Sequence, residues 1–147
     1  MPQSSPLVPL RTFADRARQV ILFEVVGLIL FAPLFALASG EAFFSSALLL
    51  FVLSLVAMLW NALYCELFDR TERRFAHRPA DKRPFRLRLI HAIGFESGLI
   101  LLTLPIIMWW TGMGFWLALL ADLGLAFAYV CYAYVYNLAY DRLFPIR

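Results

Sequence analysis

Apolar residues run along this chain in four long blocks, 16–38, 42–67, 88–110 and 115–141. At about 1.5 Å of rise per residue, each block is long enough for a helix that crosses a hydrocarbon core of about 30 Å. The stretches 42–65 and 97–121 contain no Asp, Glu, Lys or Arg at all. The first two blocks are joined by Ala38-Ser39-Gly40-Glu41 and the last two by Thr111-Gly112-Met113-Gly114. Turns this short force each pair into an antiparallel helical hairpin. The pattern predicts an all-α integral membrane protein, a bundle of four transmembrane helices.

The two hairpins are copies of one another. A shift of 72 residues, without a gap, places Arg16 on Arg88, Phe23 on Phe95, Glu24 on Glu96, Pro33 on Pro105, Gly40 on Gly112, Tyr64 on Tyr136, Asp69 on Asp141 and Arg70 on Arg142. Shared leucines would carry little weight in such a composition, whereas a matched acid inside an apolar helix carries much. Both copies start on the same side of the membrane. They are therefore tandem parallel repeats related by an axis along the membrane normal, an arrangement found among transporters.

Composition agrees, with 63% apolar and 16% charged residues, too few polar groups to coat a water-soluble core. The 24 aromatic residues exclude disorder. A signal peptide is not expected, because the first block carries an acid and lacks a small-residue cleavage site. Cys65 and Cys131 fall inside apolar runs, where a thiol behaves as a small hydrophobe. Eight of the 13 Lys and Arg residues lie between Arg70 and Arg88, and the others precede the first helix or follow the fourth. All are then on one side, which makes both termini and the middle loop cytoplasmic. The resulting division is a cytoplasmic segment 1–15, a first hairpin 16–69, a basic cytoplasmic loop 70–87, a second hairpin 88–141 and a cytoplasmic tail 142–147. Basic residues that flank spans suit lipid headgroups and do not form a nucleic-acid face.

Acids inside the spans are the candidate chemistry. Glu24 is followed by sixteen uncharged residues, which places it about two turns inside the first helix. A charged carboxylate there costs several kcal/mol unless it is paired or faces water. It can hold a proton or a cation, but not both; the alternative is a glutamate that snorkels to the cytoplasmic interface or pairs with Arg16 or Arg18. Glu96 is its equivalent in the third helix, where Arg88, His91 and Phe95 share one face with Glu96 about 80° from Arg88. That set either neutralises Glu96 or couples it to transport. His91 has no helically spaced His or Cys partner, so no metal ligation is expected. Asp122, one to two turns inside the outer end of the fourth helix, has no counterpart in the second, where Leu50 occupies the matching repeat position, and is either an outer-side binding or proton-entry carboxylate or a hydrogen-bond partner of backbone or Trp groups near the interface. Aromatic stripes run at helical spacing through Trp60, Tyr64 and Phe68 and through Tyr132, Tyr136 and Tyr140, beside polar stripes that contain Asn61 and Asn137. Such faces either pack helices or hold lipophilic cations by cation–π attraction.

Taken together, these residues resemble the proteobacterial antimicrobial compound efflux family, from Arg16 to Asp141. The resemblance rests on Arg88-Leu-Ile-His91-Ala-Ile-Gly-Phe95-Glu96, on Trp60-Asn61-Ala-Leu-Tyr64-Cys65-Glu-Leu-Phe68-Asp69, on Tyr136-Asn137-Leu-Ala-Tyr140-Asp141 and on a looser Ala118-Leu-Leu-Ala-Asp122-Leu-Gly124. It implies export of hydrophobic, often dicationic biocides such as chlorhexidine, or of short-chain diamines, driven by the proton gradient without a bound cofactor. It also implies that Glu24 couples protons to substrate. Phe23, Phe95, Trp60, Asn61, Tyr64, Tyr136, Asn137, Arg88, His91, Glu96 and Asp122 would bind substrate or support that glutamate. Gln19 and Cys65 depart from the family's His and Asn, and Gln19 cannot titrate.

The expected protein is therefore a proton-coupled antiporter of the bacterial inner membrane. A homodimer is expected because four spans make a thin wall around a polar cavity. A noncatalytic membrane adapter or assembly subunit is the alternative, distinguished by substrate-dependent proton movement. A lipid-modifying enzyme fits least, since the sequence holds no His-rich metal cluster, activated nucleophile or phosphate-binding glycine loop.

Overall fold

A computed structural model describes residues 11–76 and 84–145. Within them α1 spans Phe13–Ser39, α2 Phe43–Ala76, α3 Phe85–Thr111 and α4 Phe115–Leu143. Residues 1–10, the loop positions 77–83 with Arg78, Lys82 and Arg83, and the last two residues lie outside this description.

Helix ends follow local chemistry. Thr12 precedes α1 in extended geometry, and its hydroxyl accepts a hydrogen bond from the Asp15 N–H at 3.2 Å. This is an N-cap with an acid in the first turn, where the helix dipole favours negative charge. α1 and α3 end at Gly40 and Gly112, which have φ of 75° and 69° and close back onto Ala36 O and Met108 O. That left-handed geometry strains residues with a Cβ, which is why the repeat keeps glycine at both hairpin turns.

The basic loop expected over 70–87 is shorter than the sequence suggested. α2 continues through Ala76, and α3 begins at Phe85, immediately after Pro84. Arg and Glu are good helix formers, Arg70 donates to Glu66 at 2.6 Å, and Arg73 and Arg74 sit in the last turn where the dipole favours cations. Charge removes these turns from the hydrocarbon without ending the helix.

Each helix packs against its sequence neighbours, and α1 closes the ring against α4. Ala32, Phe35, Leu49, Leu50, Leu53, Leu104, Ile107 and Ala118 form the buried core. These residues come from the end of α1, the start of α2, the end of α3 and the start of α4. The core therefore plugs the bundle at the end that carries the hairpin turns. Outward-facing side chains are apolar, and Trp109 and Trp116 at the turn end and Phe13, Phe75 and Phe85 at the other end are exposed. Aromatic rings at both rims of an apolar surface suit a protein held in a bilayer. At the end opposite the turns, Arg11 pairs with Asp15 and with Asp141 at 2.6 Å, and Tyr140 donates to Asp15 Oδ1 at 2.8 Å, which ties α1 to α4.

Candidate functional site

The repeat sets two equivalent interfaces, α2 with α3 and α4 with α1, and both use the aromatic stripes in the same way. Trp60 Nε1 donates to Phe95 O at 3.0 Å, and its repeat mate Tyr132 donates from its hydroxyl to Phe23 O at 2.8 Å. Tyr64 donates to His91 O at 3.0 Å, and its mate Tyr136 donates to Gln19 O at 2.8 Å. Each polar tip is thus satisfied by a backbone carbonyl of the neighbouring helix, while the ring fills the interface. Phe23 nests among Tyr132 and Tyr136, with centroids 4.8 and 5.2 Å away, and Phe95 meets Tyr64 at 5.7 Å.

The two departures from the family pattern occupy matched contacts. Gln19 Nε2 donates to Asn137 Oδ1 at 2.8 Å; at the equivalent place His91 Nε2 lies 3.9 Å from Cys65 Sγ. One partner of each pair is changed, and contact across both interfaces persists. Cys65 also donates to Asn61 Oδ1 at 3.6 Å. His91 is turned to Cys65, Tyr64 and Phe68, and its Nδ1 is buried without a protein partner, so it makes no pair with Glu96. Among the described residues, no group of three His, Cys, Asp or Glu converges as metal ligands would.

Between the four helices lies a cavity of about 320 Å³. Of the residues singled out from the sequence, Phe23, Glu24 and Asp122 line it. Trp60, Asn61, Tyr64, Arg88, His91, Phe95, Glu96, Tyr136 and Asn137 do not. Leu50 and Leu53 belong both to its wall and to the apolar core, so the plug closes it towards the hairpin turns. Val20 and Met58 line it on the other half of the bundle and are themselves largely exposed.

Two hydroxyls that sequence reasoning passed over hold the carboxylates. Ser54 on α2 donates to Glu24 Oε2 at 3.0 Å, whereas Glu24 Oε1 is buried and meets no protein donor. Thr103 on α3 lies 2.7 Å from Asp122 Oδ2 and 2.9 Å from Leu99 O. Tyr129 adds an aromatic wall, and its ring stacks on Phe31 with centroids 4.6 Å apart. The cavity is thus an apolar chamber with two carboxylates, the hydroxyls of Ser54, Thr103 and Tyr129, and aromatic faces. Among the described residues, no Lys, Arg or His contributes to its lining. It can receive a cation with an apolar body.

The profile of the chlorhexidine efflux transporters matches the chain twice, over residues 11–74 and 83–146. The chain belongs to that family. The two matched copies begin one repeat offset apart, so the duplication read from Glu24, Glu96 and their neighbours is the family's own unit. The chain is 34% identical to a short-chain diamines transporter of Vibrio parahaemolyticus, over 89% of this chain and 91% of the relative. It is 27% identical to a protein of the same description from Acinetobacter baylyi, over 87% of this chain and 88% of the relative. No solved structure matches. Membership and the four apolar helices make this a multi-pass membrane protein of an efflux transporter family.

Proposed function

We propose that the protein is a proton-coupled antiporter that exports hydrophobic cations across the bacterial inner membrane, with biguanides, quaternary amines and short-chain diamines as candidate substrates. The observation that carries this reading is Glu24 Oε1, a buried carboxylate oxygen on the wall of an apolar cavity with no protein donor. Such an oxygen is costly in apolar surroundings until a proton or a cation meets it. A proton and a cation compete for it, and that competition is the elementary step of antiport. Phe23 and Tyr129 provide ring faces for the apolar body of the bound cation. The plug at Leu50 and Leu53 leaves the chamber closed towards the turns, so this conformation loads from the opposite half. The family match and the diamine-transporting relatives support the cationic class. The working form is a homodimer, in which a second copy thickens the wall around the chamber.

Proteoliposomes test the reading directly. Adding a biguanide, a quaternary amine or a diamine to vesicles holding an imposed proton gradient should produce substrate-dependent proton movement, absent from protein-free vesicles. A purified, inserted protein that moves no protons with any of the three classes would favour the adapter instead.

Orientation is the second part of the proposal: both termini and the basic loop are cytoplasmic, and the glycine turns are periplasmic. With Cys65 and Cys131 replaced by serine, a thiol introduced at Arg78 should label only from the cytoplasmic side and one at Gly112 only from the periplasmic side. The reverse pattern would invert the topology.

A further inference from the structure

A thiol and an imidazole face each other outside the chamber. Cys65 on α2 and His91 on α3 do not line the cavity, and their contact is the repeat counterpart of the one between Asn137 and Gln19. The amides of Gln19 and Asn137 close a hydrogen bond of 2.8 Å, whereas Cys65 Sγ and His91 Nε2 stand 3.9 Å apart, long even for a weak bond to sulfur. His91 lacks a ligand partner at helical spacing on α3, and the fold supplies one from α2. Both donors are held in place. The His91 ring stands edge-on to Phe68 with centroids 4.6 Å apart, and Tyr64 and Trp60 tie α2 to α3 through His91 O and Phe95 O. Nδ1 is buried, so Nε2 is the ring nitrogen that an entering ion can reach. Cys65 and His91 are partly exposed and lie about one turn inside Asp69 and Arg88, at the end of the bundle opposite the hairpin turns.

Thiolate sulfur and imidazole nitrogen are the ligands that soft cations prefer. With bonds of about 2.3 Å to sulfur and about 2.0 Å to nitrogen, one ion seated between the two atoms spans their 3.9 Å separation at an angle of about 130°. Among the described residues, no third His, Cys, Asp or Glu converges on the pair. Zinc, which takes four ligands, is poorly served by such a site. Charge points the same way. A thiolate, a neutral ring and a monovalent ion sum to zero, which apolar surroundings tolerate, whereas a divalent ion would leave one positive charge uncompensated.

We infer that Cys65 and His91 form a binding site for a soft monovalent metal ion, copper(I) or silver(I), which bridges α2 and α3 outside the central chamber. The site is separate from the exporter reading above and does not depend on it. Binding exchanges one positive charge for another. The thiol proton leaves to water, a bond forms between Sγ and the ion, and the Nε2 lone pair completes the coordination, with no electron transferred. The bound ion links α2 to α3, so occupancy stabilises the folded bundle.

The test is a titration of silver nitrate, in chloride-free buffer, into the purified full chain carrying Cys131→Ser, which removes the exposed second thiol. Competition with N-acetylcysteine sets the affinity of a thiol that has no imidazole beside it. The chain should take up one silver ion, about tenfold or more tighter than N-acetylcysteine does, and its thermal midpoint should rise with silver. His91→Gln in the same background should lose that tenfold and the rise in midpoint, because a thiol alone bridges nothing. Cys65→Asn combined with His91→Gln copies the Gln19 and Asn137 contact of the other interface, so it should stay folded and bind no silver. Silver affinity and a midpoint rise that survive His91→Gln would reduce the site to a single thiol and overturn the inference. A Cys131→Ser chain that holds silver no more tightly than N-acetylcysteine overturns it without any further variant.

Discussion

Glu24→Gln should abolish proton-driven export, to the level of protein-free vesicles, while the four-helix bundle stays folded. Glutamine keeps the size of the side chain, and its carbonyl oxygen can still accept from Ser54, whose hydroxyl is 3.0 Å from Oε2 in the native protein. What disappears is the carboxylate for which, in the proposed cycle, proton and cation compete. The amide nitrogen takes the place of one carboxylate oxygen, so the site no longer attracts positive charge, and cation binding should lose its dependence on pH. Stability should move the other way or not at all, because a neutral amide carries a smaller desolvation cost in an apolar wall than a carboxylate does. The readouts are export from proteoliposomes, binding at several pH values, and the thermal midpoint of the purified protein. A correctly inserted Glu24→Gln protein that exports cations with wild-type dependence on the proton gradient would move coupling to Glu96 or Asp122. Asp122→Asn should be milder, since Glu24 remains, and the roles are reversed if it abolishes coupling while Glu24→Gln spares it.

The fold was legible because the informative residues are rare ones. Acids, prolines and turn glycines matched at one offset define a duplicated hairpin, and hydrocarbon thickness sets helix length. The C-terminal end of α2 was less legible: Arg70, Arg73 and Arg74 end the apolar run, but their charge is compatible with a continuing helix, and α2 runs on to Ala76. Glu24 and Asp122 stood out as acids in apolar runs, and both line the cavity. Their partners did not stand out. A hydroxyl in a membrane helix can bond a carbonyl of its own helix, as Thr103 does with Leu99, and only the rotation of α2 and α3 shows that Ser54 and Thr103 also face the acids. The aromatic stripes posed the same difficulty. Periodicity puts Trp60 and Tyr64 on one face, but it cannot say whether that face meets a cavity or the carbonyls of α3. The significance of Gln19 and Cys65 likewise depends on the pairing of α1 with α4 and α2 with α3.

Two glycines of α3, with the spacing Gly94-Phe95-Glu96-Ser97-Gly98, control that pairing and yield the largest expected effect on folding. A Cβ built at Gly98 would lie 2.2 Å from Trp60 Cζ2, and one at Gly94 would lie 2.3 Å from the Tyr64 hydroxyl. Trp60 cannot swing aside at little cost, because its indole nitrogen is bonded to Phe95 O. Gly98→Val should therefore displace the ring, break that bond and part α2 from α3, a loss of about 2–4 kcal/mol from overpacking and the lost hydrogen bond. Gly40→Ala is the control: nothing lies within 4 Å of its Cβ position, and only the strain of φ 75° remains, about 1 kcal/mol. The repeat supplies the compensating change. At the equivalent interface Val26 stands where α3 has Gly98, and Tyr132 stands where α2 has Trp60, and the hydroxyl of Tyr132 still reaches its carbonyl. Gly98→Val combined with Trp60→Tyr copies that solution and should recover much of the lost stability, which denaturant unfolding of the three proteins in detergent measures. If Gly98→Val alone is as stable as wild type, or the double variant is no better than the single one, then close approach at Gly98 does not hold the two hairpins together.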